Sequence, residues 1–176
     1  RHINVSLPQG SHHLNVYRSA ATQAPPTPQP CRPFAGITSG TAPIFIAQAT
    51  ESDLNIPDSV GIHLDPKQMV RIEQHFLNAT PKPIQGTGTV TLTTTAEDGQ
   101  TTVADLLFWG TPNINIPARS KGSADMRHKT VRAGTKIFGM TAHQHQYGTL
   151  ATVIQGTSQQ DPGKEIDQLV LDMEDS

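Results

Sequence analysis

The chain has 176 residues, 35% of them apolar and only 16% charged, with 14 Gly and 14 Pro. Low charge with abundant Gly, Pro and Thr excludes a helical bundle or coiled coil, and recurring apolar runs exclude a disordered chain. A net charge of −2 leaves no electrostatic basis for nucleic-acid binding, and no apolar run reaches the length of a membrane span.

In chain order, Ile3, Val5 and Leu7 alternate with polar neighbours, and Pro8-Gln9-Gly10 supplies a turn before a second extended run, His13 to Tyr17. Prolines at 25, 26, 28, 30 and 33 exclude helix and central strand, so residues 20–33 are predicted to be a long surface loop. Pro43 to Ala47 is a short apolar strand. Lys67 to Leu77 fits either a helical stripe or a strand, and Pro66, Pro81 and the β-branched Val70 and Ile72 favour strand. Gly86 to Thr95 is a further predicted strand, ending at Glu97-Asp98-Gly99. Val103 to Trp109 and Asn113 to Pro117 are two more, with Phe108 and Trp109 expected in the core. Thr135 to Tyr147 and Leu150 to Gln155 read as a hairpin about Gly148, and Glu165 to Met173 as strand or short helix. The pattern predicts an all-β sandwich fold with one boundary, near 97, giving domains 1–97 and 98–176.

Cys31 is the single cysteine, so no internal disulfide can form and no Cys pair is there to build a zinc ribbon or an iron–sulfur site. The unusual feature is eight histidines. His143 and His145 flank Gln144 in a predicted strand, where residues two apart project from one face and can share an ion. His12 and His13 are adjacent, and neighbours on a regular strand point to opposite faces. They can share an ion only if the strand twists, bulges or ends, which the turn at Pro8-Gln9-Gly10 favours. His75, on a different strand, is the expected third partner, on the face that also carries Met69, Arg71, Glu73 and Leu77. Sites built of imidazole alone suit copper or zinc better than magnesium or calcium. His2, His63 and His128 are read as ordinary polar side chains.

These segments resemble the copper type II, ascorbate-dependent monooxygenases, the family of peptidylglycine α-hydroxylating monooxygenase and dopamine β-hydroxylase. Ser11-His12-His13-Leu14-Asn15-Val16-Tyr17 is similar to the family's His-His strand. Arg71-Ile72-Glu73-Gln74-His75-Phe76 is similar to the strand carrying its single histidine. Gly86 to Leu92 resembles the strand closing its first domain, and Asn115-Ile116-Pro117-Ala118 a turn near the start of its second. Thr141 to Gly148 resembles its His-x-His strand.

The resemblance implies two jelly-roll-like antiparallel β-sandwich domains, incomplete at both ends, with a solvent-filled cleft between them. It implies two copper ions, one held by His12, His13 and His75 for electron transfer, the other by His143 and His145 where oxygen binds. Ascorbate would be the reductant, molecular oxygen the oxidant, and an aliphatic C–H of a small or peptide-like molecule the substrate. The family's further Met ligand has no counterpart in context, since Met173 is the only Met after His145, and the third ligand of the second site stays open. The chain starts at Arg1, near the His-His strand, which implies part of a longer enzyme or a shortened relative. Oxygen-dependent copper chemistry and the sequons at Asn4 and Asn78 point to a secreted or otherwise extracytoplasmic setting. Two alternatives remain open: a non-catalytic copper-binding carrier, store or sensor, and an interaction domain with incidental histidines.

Overall fold

A computed structural model describes residues 1–39, 41–96, 99–111, 113–140, 142–144 and 147–170. The fold is all-β among the described residues, with three antiparallel sheets, one short parallel pair of strands and one helical turn. No described helix is long and apolar enough to cross a membrane. The chain divides into two compact units, Arg1–Phe108 and Trp109–Ser176.

In the first unit, β1 (His2–Ser6) lies between β4 (Glu51–Asn55) and β7 (Thr89–Thr93), antiparallel to both. Its alternation decides its faces. Ile3 and Val5 are buried, while His2, Asn4 and Ser6 turn outward to the acidic strand β4. There His2 Nε2 lies 2.5 Å from Asp53 Oδ1 and Ser6 Oγ donates to Glu51 at 2.6 Å. The bond from His2, then the amide of Asn4, hold the Asp53 carboxyl below its usual range.

The second sheet places β2 (Ser11–Ser19) between β3 (Pro43–Ala47) and β6 (Met69–Phe76), again antiparallel. Leu14 and Val16 of β2, with Ile44 and Ala47 of β3, form one apolar cluster with Ile3, Val5 and Leu7. The two three-stranded sheets therefore share a core. Each fully buried aliphatic side chain there contributes roughly 1.5–3 kcal/mol. β2 is buried on its other face too, where His13, Asn15 and Tyr17 lie under the turn leading into α1 (Ala35–Thr38). Gly36 permits this approach, because a Cβ there would stand 2.6–2.8 Å from the Tyr17 ring.

The predicted loop 20–33 carries no strand or helix and is exposed, and the ambiguous stretch 67–77 is strand β6. Two shorter strands, β5 (Val60–Ile62) and β8 (Thr102–Ala104), pair in parallel. Arg18 grips Asp105 through two bonds of 2.7 and 2.8 Å, so residues just past the break at 97 stay with the first unit. The predicted strand 103–109 thus stops at Ala104, and Phe108 and Trp109 are not core residues but stand 45% and 40% exposed.

In the second unit, β9 (Leu150–Gln155) pairs antiparallel with β10 (Lys164–Val170). The predicted hairpin about Gly148 has no strand among the described residues of 135–147, and β9 pairs with the segment that follows it. Among the described residues 109–149 there is no strand, including 113–117. Alternation marks a face but does not supply a partner, and Ile114, Ile116 and Ile137 of these stretches remain exposed. The β9–β10 connection is fixed by Asp161, whose carboxylate accepts from Thr157 N and Oγ1, each at 2.7 Å, and from Gly163 N at 2.9 Å. These donors, the Thr157 N–H first, pull the Asp161 carboxyl down to about 2.

Candidate metal centre

Three histidines converge at the start of β2. His13 and His75 are direct register partners across the β2–β6 ladder, with ring centres 4.9 Å apart. The ladder runs from Ser11 opposite Phe76 to His13 opposite His75, so His12 is an extra residue with no partner on β6. This is a β-bulge. On a regular strand His12 would take the face opposite His13. The bulge cancels that alternation, and the His12 ring centre lies 5.1 Å from His13 and 5.4 Å from His75. Just upstream, Gly10 at φ +84° makes the turn from β1, with Ser11 N donating to Pro8 O and Leu77 N to Gly10 O.

The ring-centre separations are of the size that a shared ion requires. An imidazole nitrogen about 2.0 Å from a first-row metal puts its ring centre about 3.2 Å away, and rings set 90–120° apart then lie about 4.5–5.6 Å from one another. All three observed separations fall in that range. His13 is buried and His12 and His75 half-buried, so the cluster is shielded without being closed to solvent. His75 Nδ1 is buried with no hydrogen-bond partner among the described residues. A donor set of three neutral imidazoles suits copper or zinc.

The cluster has a built floor. Phe34 lies on the His13 ring, centres 4.6 Å apart and planes 30° apart, and Phe108 lies 5.9 Å beyond Phe34. Glu73, two residues before His75, is 3% exposed, and its carboxylate gathers Asn15 Nδ2, Tyr17 Oη, Arg71 Nη2 and the N–H groups of Ala35 and Gly36. Burial, then the Glu73 charge, push the Tyr17 phenol well above its usual range. The sequence placed Glu73 on the His75 face. It gave no sign of Phe34, which reaches the cluster only through the turn at 33–36, a contact that no periodicity encodes.

His143 is half-buried in the second unit, and the described residues 142–144 are irregular rather than strand. His145 lies outside the described residues, as does Met173. Of the other histidines, His2 pairs with Asp53 and His63 with Asp65 at 3.1 Å, ordinary polar contacts. Comparison with family models, curated proteins and solved structures gives no match for this chain.

Proposed function

We propose that the chain is the core of a copper- and ascorbate-dependent monooxygenase that hydroxylates an aliphatic C–H with molecular oxygen. The observation that carries this reading is the convergence of His12, His13 and His75 on one side of β2, which only the bulge at His12 allows. In this reading these three hold the electron-transfer copper, and His143 and His145 belong to a second copper site. The sheets would belong to jelly-roll-like sandwiches, the substrate would be small or peptide-like, and the setting secreted.

Copper held by His12, His13 and His75 would supply one-electron redox chemistry between ascorbate and oxygen. The chain's own contribution is geometric. The β2–β6 ladder sets the His13–His75 distance, the bulge turns His12 toward both, and Phe34 excludes water from one face of His13. Half-exposed His12 leaves the cluster reachable by an external reductant.

The test is copper-loaded protein, ascorbate and labelled oxygen with a panel of small and peptide-like substrates. The reading expects product that contains one oxygen atom from the gas, and its loss in His143→Ala with the first copper retained. Product formation unchanged in His143→Ala would contradict it. A second reading, a non-catalytic copper module, has its own support: His12, His13 and His75 all lie within the first unit. It expects copper uptake with no ascorbate-dependent product.

A further inference from the structure

We propose that Glu73 is a positioning residue that clamps the 34–36 turn so that Phe34 stays on the His13 ring. The proposal deepens the copper reading, since His13 is a ligand there, but its geometry stands in the metal-free protein. Phe34 has φ 58°, a left-handed backbone that a bulky side chain adopts only where its surroundings impose it. The cause is on its C-terminal side. Ala35 N–H is shared between Arg32 O and Glu73 Oε1, each at 3.1 Å, and Gly36 N–H donates to Glu73 Oε2 at 3.1 Å.

One carboxylate therefore fixes two successive amides of the turn and, through them, the direction in which Phe34 leaves the chain. Glu73 is held in turn by Arg71 at 3.2 Å and Asn15 at 3.3 Å, both on the strands that carry His75 and His13. The turn is thus fastened to the same two strands as the ligands. A buried carboxylate with that many donors has no role in the apolar core, which lies on the other face of β2.

The experiment reads the apoprotein by NMR, following the His13 ring signals and the Gly36 amide exchange rate in wild type, Glu73→Gln and Phe34→Ala. Gln offers a single acceptor oxygen, so Gly36 exchange should quicken about tenfold or more in Glu73→Gln. The His13 ring signals should lose the ring-current shift imposed by Phe34. Phe34→Ala should give the same His13 change with Gly36 still protected. Unchanged His13 signals in either variant would overturn the proposal. Where Glu73→Gln does not fold, wild type decides: a Gly36 amide that exchanges as fast as the 20–30 loop overturns it, and a protected one supports it. With copper, Glu73→Gln should weaken binding about ten- to a hundredfold. A wild type that takes up no copper defeats the copper reading alone and leaves the apoprotein result standing.

Discussion

His13 and His75 sit directly opposite each other on β2 and β6, ring centres 4.9 Å apart, and the residue between Ser11 and His13 has no partner across the ladder. That pairing makes the histidine cluster. Two imidazoles come from register, and the third comes from a local break in register.

His12→Ala should therefore remove a ligand without removing the fold. His12 is half-buried and outside the apolar cluster, so the stability loss should stay within about 0.5 kcal/mol. Copper affinity should fall at least about tenfold, a change of roughly 1.4 kcal/mol. Denaturant unfolding and copper competition measure the two effects. His13→Ala, by contrast, empties a buried site under Phe34 and should lose about 1–3 kcal/mol of stability as well.

Gly36→Ala places a methyl 2.6–2.8 Å from the Tyr17 ring, so the 34–36 turn or the ring must shift. Overpacking of this kind costs about 1–3 kcal/mol, visible as a lower denaturation midpoint at unchanged m-value. An unchanged midpoint would mean that the turn does not lie on β2 as described.

Much of this was legible in the sequence. Alternation at Ile3-Val5-Leu7, proline density at 25–33 and β-branched residues at 70 and 72 each reported a local constraint strong enough to fix strand or loop. The adjacency of His12 and His13 posed the question that the bulge answers. The illegible parts depend on partners. Residues 113–117 and 135–147 carry strand-like residues, but pairing is a property of two segments, and β9 pairs forward with β10. Phe108 and Trp109 end an apolar run, yet β8 stops at Ala104, next to Asp105, whose two oxygens both accept from Arg18 Nη2.

The Tyr17 phenol, raised by burial and then by the Glu73 charge, makes a pH prediction. A folded pKa above the unfolded value contributes stability below about pH 10, the unfolded phenol value, and that stability is lost as pH rises beyond it. Ultraviolet titration of the native chain should show one of its two tyrosines ionising only with alkaline unfolding. Tyr17→Phe should delete that late phase. Persistence of the phase in Tyr17→Phe would place the raised phenol elsewhere.

Asp161 gives the opposite sign. Its carboxyl, lowered to about 2 chiefly by the Thr157 N–H, favours the folded hairpin above the unfolded carboxyl value of about 3.9. That contribution fades as pH falls from about 4 through 2. The side-chain carbon of Asp161 should titrate near 2 by NMR, and Asp161→Asn should speed exchange at the Thr157 and Gly163 amides. A midpoint near the ordinary value would show that the three donors do not hold it.

The most direct test of the central claim is tight copper content per chain, after removal of loosely bound metal, in wild type and in His75→Ala. The account predicts that wild type retains copper and that His75→Ala loses one ion while keeping its strand circular dichroism. Equal copper content in the two proteins, or none in wild type, would contradict a metal centre at His12, His13 and His75.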